Sequence, residues 1–388
     1  MEDSFPDRPE DPHKDHPLYW KNFDGGLLEY EYFWRDHQRW LADAGYMLRP
    51  RFREDWQPSW VKSKKLWFQC EDGETTIVSC RSSIMDAVRI SDGRIVTIKR
   101  VKKLSTPWEE STMRRFSTEP LASDPHNHAI PLYDAIQPPW DDKIVFLIMP
   151  HFIRIHKHKY ATVGEAMECF RQLFEGLQFM HHNLVAHCDI QLFNILMDPV
   201  PLLSEIPHPN FPKRSYDFKR KVKQHTRTEC PTRYYIIDFG LSRTFSPGQE
   251  LVAPVSYGGD KSVPEYKDPS RAESNPFAID IYCLGNMIRK WFVDNSCSLD
   301  FLRPLIEEMT RKVPEERPTV DEAFKRFEEL RISLPDRILR SRFVYRDEFL
   351  VGRLYRTCRH AIRTAKYLHR GLPALPTPSP LPPRKFDS

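Results

Sequence analysis

Strand-like and helix-like patterns occupy separate parts of this 388-residue chain. β-branched and apolar residues are frequent between residues 66 and 103, where Asp92-Gly93 predicts a hairpin turn before a strand that ends at Lys99. A continuous apolar run at 144–149 predicts a buried strand. Beyond it, apolar residues recur at helical spacing in three segments, 162–182, 276–292 and 320–330. This segregation predicts an α+β fold of two lobes, a small β-rich one followed by a larger helical one.

The composition is that of a globular protein with a substantial core, since 40% of the residues are hydrophobic and 29% are charged. The net charge of +4 is small for this length, so we expect no nucleic-acid partner and no membrane partner. The eight cysteines form no CxxC pair, which favours reduced thiols and a cytoplasmic protein, with a nuclear location as the alternative. The oligomeric state stays open.

Two short segments carry polar groups suited to phosphate and metal chemistry. In 187–194, Asp189 and Asn194 share a loop that follows the 162–182 helix, so both side chains can face one site. There the carboxylate can orient a hydroxyl, and the amide oxygen can bind a hard cation. In 234–240, an apolar strand ends at Asp238 and presents a second carboxylate. Phosphoryl transfer also needs a cation on the phosphates, for which Lys99 is the candidate.

These segments resemble motifs of the protein kinase superfamily. Residues 187–194 are similar to the catalytic-loop pattern His-Arg-Asp-Leu-x-x-x-Asn, and 238–240 match Asp-Phe-Gly. Other matches follow in the family's order: 95–99 with the Val-Ala-Ile-Lys strand, 263–265 with Ala-Pro-Glu, 280–285 with the helix whose Asp280 tethers the catalytic loop, and 315–318 with the segment whose Arg317 pairs with Glu265. The resemblance covers residues 66 to 330 and extends to a fungal group of divergent kinase-like proteins.

The resemblance implies a reaction that uses ATP and Mg²⁺ as cofactors. By this resemblance Lys99 would hold the α- and β-phosphates of ATP, and Asp189 would orient the substrate hydroxyl. Asn194 and Asp238 would bind magnesium.

Two further parts of the nucleotide site also follow from the resemblance. Either Glu109 or Glu110 would pair with Lys99, because the pattern of the following helix does not decide between the two acids. The connection between the lobes would offer backbone groups to adenine, and its residues are Met149, Pro150, His151 and Phe152.

Four features depart from the family pattern. The stretch 78–87 contains no glycine where a Gly-rich phosphate loop is expected, and side chains there hinder the approach of backbone N–H groups to phosphates. Cys188 replaces the catalytic-loop Arg, and Gln191 replaces the Lys that is usual in Ser/Thr kinases. An extra segment, 199–233, separates the two polar clusters.

We predict three regions: an N-terminal extension at 1–61, a kinase-like domain at 62–333, and a basic segment with a Pro-rich tail at 334–388. The domain divides into an N-lobe at 62–150 and a C-lobe at 151–333, with the insertion 199–233 looping out as a solvated surface hairpin. The basic run 213–227 leaves nuclear import or an acidic partner as an alternative. The Pro-rich tail is expected to be extended, with docking to an SH3-type module as its alternative.

Three functions remain open from the sequence. The first is an ATP-dependent protein kinase acting on a protein hydroxyl, Ser/Thr rather than Tyr, with ATP and a protein substrate as partners. The second is a pseudokinase that serves as a binding scaffold. The missing Gly-rich loop favours the scaffold, whereas Lys99, Asp189, Asn194 and Asp238 together favour the enzyme. A small-molecule kinase is the third.

Overall fold

A computed structural model describes residues 26–73, 83–268 and 272–379 of the chain. The strands are β1 (Tyr46–Leu48), β2 (Ile84–Arg89), β3 (Ile95–Lys102), β4 (Asp134–Ile136), β5 (Ile144–Pro150), β6 (Ile153–Arg154), β7 (Val185–Ala186), β8 (Ile195–Met197), β9 (Tyr234–Ile236), β10 (Arg243–Thr244), β11 (Ala253–Pro254) and β12 (Glu273–Ser274). The helices are α1 (Glu29–Asp43), α2 (Glu109–Phe116), α3 (Val163–His182), α4 (Pro276–Ile288), α5 (Arg303–Met309), α6 (Val320–Ser333), α7 (Asp336–Leu339) and α8 (Leu350–His369). The predicted two-lobed α+β fold is confirmed, because β1 to β5 form one sheet and most of the described helices follow it.

The sheet of the N-lobe is antiparallel, with the strand order β1-β2-β3-β5-β4. Its register places Ile84 opposite Lys99 and Asp86 opposite Thr97. Because side chains alternate along a strand, these four residues share the face that Lys99 directs into the cleft between the lobes. The opposite face is apolar and buried, with its core in Met85, Ala87, Val96, Ile98, Phe146 and Ile148. The sheet therefore turns a polar face toward the cleft.

Part of the segment predicted as an N-terminal extension belongs to this sheet. Strand β1 pairs with the end of β2, Leu48 opposite Ala87, so the lobe begins well before residue 62. Helix α1 covers the apolar face, where Trp34 is fully buried against Phe146 at 5.8 Å between ring centroids. Residues 74–82 lie outside the described residues, and with them the strand-like run 76–80 and the first half of the glycine-free stretch 78–87.

Helix α3 is the central helix of the C-lobe, as its apolar spacing predicts. It begins at the predicted N-cap, where the Thr162 hydroxyl accepts a hydrogen bond from the Glu165 backbone N–H at 3.1 Å. Helix α6 packs along it, and the rings of Phe174 and Phe327 stack at 4.9 Å. This packing fixes the end of α3, from which the loop 187–194 departs.

The insertion 199–233 packs against both lobes and is not a free surface hairpin. At its base, Arg227 is buried, and its guanidinium lies 4.0 Å from the Tyr160 ring. Near its tip, the Tyr216 hydroxyl donates to Asp86 of β2 at 2.7 Å. The insertion thus starts in the C-lobe and reaches the N-lobe. Burial of aromatic and charged side chains explains why this Pro-rich, basic segment is ordered.

The segment after the domain is also docked. Helix α8 forms where the basic stretch predicts partial helix, and the hydroxyl groups of its buried Tyr367 and of Thr226 in the insertion are hydrogen-bonded at 2.6 Å. The described part of the Pro-rich tail lies against α3, where a Cβ at Gly164 would come within 2.1 Å of the Ala374 carbonyl oxygen. Across the described residues, no helix combines the length and apolar character needed to cross a bilayer.

Candidate active site

An ion cluster around Lys99 joins three elements of the fold. The Lys99 Nζ donates to the Glu109 carboxylate of α2 and, at 2.8 Å, to the Asp238 carboxylate just after β9. Burial alone would lower the pKa of the Lys99 ammonium, but the charges of Glu109 and Asp238 outweigh it and hold that pKa above its ordinary value. Lys99 therefore remains a cation between two carboxylates.

The structure distinguishes the two acids that the sequence leaves equivalent. Glu109 is the first residue of α2, is buried, and contacts Lys99. Glu110 points away, and its carboxylate accepts from Arg114 one helical turn later at 2.8 Å. The assignment of Glu110 to the cofactor site is therefore wrong. Two consecutive helical residues point about 100° apart, so only one of them can face the cleft.

Asp238 is held in an uncommon backbone conformation. Its φ of +70° is left-handed, which costs an L-residue with a Cβ roughly 1–2 kcal/mol. The next residue, Phe239, is fully buried between Phe116 of α2 and His187, with ring centroids at 6.0 and 5.3 Å. This packing turns the Asp238 carboxylate toward Lys99, and 44% of that side chain stays exposed to the cleft.

The loop 187–194 is fixed from beneath by Asp280 of α4. The buried Asp280 carboxylate accepts from the backbone N–H groups of His187 and Cys188, each at 2.7 Å. This is the tether that the resemblance implies. Burial raises the pKa of the Cys188 thiol well above its usual value, so this side chain stays neutral.

Asp189 and Asn194 meet, as predicted. The Asn194 side-chain nitrogen donates to the Asp189 carboxylate at 2.8 Å, and Gln191 donates to the same oxygen at 2.9 Å. Asn194 also lies next to the segment 234–240, because its backbone carbonyl accepts from the Ile237 N–H at 3.0 Å. The loop and the end of β9 thus present Asp189, Asn194 and Asp238 at one place.

A glycine pair from the segment after Asp238 closes onto Asp189. The Gly259 N–H donates to the second Asp189 oxygen at 2.7 Å. A Cβ at Gly258 would lie 2.8 Å from that same oxygen, so only glycine permits this approach. Both carboxylate oxygens of Asp189 are therefore already hydrogen-bonded. The sequence analysis missed this contact, for which the Gly-Gly pair itself is the available signal.

The residues around Asp238 fit a hard cation. The Asn194 amide nitrogen donates to Asp189, and an amide oxygen and the Asp238 carboxylate are the kinds of ligand atom that Mg²⁺ prefers. Burial alone would raise the pKa of Asp238, but Lys99 outweighs it and keeps the carboxyl ionised. In the described ranges, this site included, no group of three or more His, Cys, Asp or Glu side chains is placed to hold a metal.

The cleft face near the predicted hinge fits a purine less well. Asp86 and Thr97 carry carboxylate and hydroxyl groups there, whereas flat heterocycles favour apolar walls. Asp86 is buried and accepts from Arg49 at 2.9 Å and from Tyr216 at 2.7 Å. Burial alone would raise the pKa of Asp86, but Arg49 and Tyr216 hold it below its usual range.

The four hinge candidates lie at the end of β5, as predicted. Met149 and Pro150 still pair with β3, opposite Thr97 and Val96. His151 Nδ1 lies 3.0 Å from the Thr97 hydroxyl. Phe152 stacks on Tyr235 of β9 at 4.4 Å. Pro150 has no N–H, so this position can offer a carbonyl group and no donor.

A cavity of about 350 Å³ lies beside the loop 187–194. It is bounded by loop residues, by Gly259 and by the half-exposed rings of Phe193 and Trp291, whose centroids are 5.8 Å apart. A buried ion pair supports this side of the C-lobe: Arg317 donates to both oxygens of Glu265 at 2.7 and 2.8 Å. That pair was predicted from the resemblance.

Comparison with known proteins agrees with this geometry. The family model described as "Protein kinase domain" matches residues 80–327. The human NUAK family SNF1-like kinase 1 is 31% identical over 169 residues, which cover 41% of this chain and 24% of that protein. The human NUAK family SNF1-like kinase 2 is 32% identical over 117 residues, covering 28% and 18%.

A third relative is the probable serine/threonine-protein kinase MARK-C of Dictyostelium discoideum, 25% identical over 201 residues, which cover 49% of this chain and 21% of that protein. The chain thus spans less than a quarter of the length of each of these relatives. The family match covers well over half of the chain and includes Lys99, Asp189, Asn194 and Asp238. The chain belongs to the protein kinase family.

Proposed function

We propose that this chain is an ATP-dependent protein kinase that phosphorylates Ser or Thr hydroxyls of a protein substrate. The observation that carries the proposal is the Lys99 ammonium held between Glu109 and Asp238, with Asp189 and Asn194 beside it. A domain that kept only its shape would gain nothing from the left-handed backbone at Asp238, which is costly and typical of functional sites.

Each residue has a role in this proposal. Lys99 binds phosphate oxygens, and Asn194 and Asp238 provide oxygen ligands for Mg²⁺. Asp189 orients the acceptor hydroxyl once the Gly259 N–H gives up its carboxylate oxygen. The hinge Met149–Phe152 supplies the carbonyl and N–H groups for adenine. The cavity beside Phe193 and Trp291 receives the substrate chain next to the acceptor.

The choice of Ser/Thr over Tyr rests on the relatives. One of them is named a probable serine/threonine-protein kinase. The residues themselves do not favour this choice, because Gln191 stands where Ser/Thr kinases usually have Lys.

A pseudokinase scaffold is the second candidate, and the polar cluster of Arg49, Asp86 and Tyr216 favours it. These groups form a buried ion pair and hydrogen bond on the cleft face near the hinge. Breaking such a pair to admit a purine would leave charged groups without partners, which is costly. In this alternative the domain binds partner proteins and does not catalyse phosphoryl transfer.

One experiment separates the two candidates. The full chain is incubated with Mg²⁺ and ATP labelled in the γ-phosphate, with a mixture of Ser- and Thr-containing peptides, beside the Asp189→Asn and Tyr216→Phe variants. Transfer by the wild type that Asp189→Asn abolishes supports the kinase. Transfer only by Tyr216→Phe supports a kinase restrained by its insertion. If no variant transfers label and Mg²⁺-ATP leaves the melting temperature unchanged, the scaffold is correct.

A further inference from the structure

A second cavity of about 350 Å³ lies in the C-lobe, and no residue of the Lys99 cluster or of the loop 187–194 lines it. Three segments form its wall: 159–161 after the hinge, 224–227 at the base of the insertion, and 342–363, which includes most of α8. Six of its lining side chains are cationic: Lys159, Arg227, Arg342, Arg356, Arg359 and Arg363. Glu348 is the only carboxylate among the lining residues, so the cavity is strongly positive.

The single carboxylate is already used. Both Glu348 oxygens accept from Arg342 at 2.8 Å, and Arg356 lies 3.5 Å from one of them. Arg359 and Arg363 sit one turn apart on α8, and neither makes a hydrogen bond or ion pair with any residue in the described ranges. Two uncompensated guanidinium groups on the same face of a helix, turned into a cavity, are a ready site for an anion.

Arg227 adds a buried positive charge to the same cavity. Its Nη1 donates to the Lys159 carbonyl and its Nη2 to the His158 carbonyl, both at 3.1 Å. Its Nε is buried and has no hydrogen-bond partner, and no carboxylate lies within ion-pair distance in the described part of the chain. The Glu165 carboxylate attracts this guanidinium from beyond ion-pair distance, and every hydrogen bond that Arg227 makes goes to a neutral acceptor, so a bound anion would stabilise the buried cation further.

We propose that this cavity binds a compact soluble polyphosphate, a small molecule with several phosphate groups. Several cations converging from different segments match a ligand that carries several negative charges, and guanidinium groups pair with phosphate through two parallel hydrogen bonds. A partly open cavity of about 350 Å³ fits a small molecule rather than a nucleic-acid strand. Such a ligand would bridge α8 and the base of the insertion, because both contribute cations.

The test uses isothermal calorimetry on the full chain with two probes, myo-inositol hexakisphosphate and inorganic tripolyphosphate. The cavity variant is Arg359→Gln/Arg363→Gln. Its matched control is Arg353→Gln/Lys366→Gln, which removes the same charge from exposed positions of the same helix that do not line the cavity. We expect the dissociation constant to rise at least about tenfold in the cavity variant and to stay within about twofold in the control.

A further variant, Lys99→Ala, excludes binding in the nucleotide cleft and should leave the affinity for both probes unchanged. The proposal is overturned if neither probe binds the wild type, if both double variants weaken binding equally, or if Lys99→Ala abolishes binding. Binding of a phosphoserine peptide without binding of either polyphosphate would also overturn it. None of these outcomes depends on whether the domain transfers phosphate.

Discussion

Lys99 forms ion pairs with two carboxylates that come from different elements of the fold. Glu109 comes from the start of α2 and Asp238 from the end of β9, so the ion cluster forms only when helix, sheet and C-lobe are in place together. Glu109 is buried and Lys99 is 17% exposed, so the hydrogen bond between these two ionised groups is worth about 1.5–3 kcal/mol, while Asp238 stays 44% exposed. The loss of one of these hydrogen bonds should therefore have a measurable effect in variants that still fold.

The first prediction compares two adjacent glutamates. Glu109→Gln should lower kcat/KM for peptide phosphorylation by about 10- to 100-fold, because it removes the charge that positions Lys99. Glu110→Gln should change it by less than about twofold, since Glu110 contacts only Arg114 on the exposed side of α2. Steady-state kinetics on both variants test this. Equal losses would mean that Glu109 has no special contact with Lys99.

The sequence predicts these chemical groups better than their pairing. Asp189, Asn194 and Asp238 could be found because each stands inside a motif that fixes its place on a loop or strand end. The choice between Glu109 and Glu110 depends on where α2 begins, and propensities fix a helix end only within one or two residues. The contact of Gly259 with Asp189 depends on the path of a long loop, which no local pattern determines.

Helix α1 and strand β1 are integral parts of the N-lobe. They supply Trp34, Leu41, Tyr46 and Leu48 to the core on the outer face of the sheet. Apolar and aromatic residues at roughly helical spacing in 28–44 predict α1, but no pattern predicts β1. Three residues carry little strand signal, and the partner strand β2 begins only at Ile84. Pairing across such a long connection is decided by tertiary packing.

The second prediction follows from that packing. Trp34→Ala should lower the free energy of unfolding by about 3–5 kcal/mol, because it opens a cavity under α1. Trp108→Ala, at a position that is 53% exposed, should cost less than about 1 kcal/mol. Urea denaturation followed by circular dichroism measures both. A small effect at Trp34 would show that α1 is a detachable extension.

A third prediction concerns the ion pair that joins the segment 263–267 to the start of α6. Arg317→Met should destabilise the protein by about 3–5 kcal/mol, since it leaves the buried Glu265 carboxylate without its partner. Arg303→Met breaks the solvent-exposed pair with Asp294 and should leave the stability nearly unchanged. Thermal unfolding of the two variants distinguishes them. Similar melting temperatures would contradict a structural role for the pair.

Histidines whose pKa values are lowered by folding make the free energy of unfolding depend on pH. Desolvation lowers the pKa of His151 and outweighs the charge of Asp86, which raises it, while the nearby Arg49 lowers it further. The unfolded chain binds a proton at this residue near pH 6.5, while the folded chain resists it, so the unfolded state holds more protons below that pH. The free energy of unfolding should therefore fall as the pH drops from 7.5 to 5.5.

The measurement is a series of urea unfolding curves across that pH range. His151→Gln should reduce the slope, by at most about 1.4 kcal/mol per pH unit for one group. His126→Gln, at an exposed position, is the control for the substitution itself. Carboxylates do not explain a loss in this window. Those with lowered pKa values are protonated at lower pH, and those whose pKa burial raises, such as Glu109 and Asp198, stabilise the folded state as the pH falls. A flat profile between pH 5.5 and 7.5 would refute the prediction.

The contact between Tyr216 and Asp86 has a kinetic consequence, since it spans the two lobes. The lobes of this domain cannot separate unless the half-buried Tyr216 hydroxyl leaves the buried Asp86 carboxylate. Access to the cleft is then limited by how often the contact breaks and no longer by diffusion. The observed rate of nucleotide association would level off at high nucleotide concentration, at a ceiling equal to the frequency of opening.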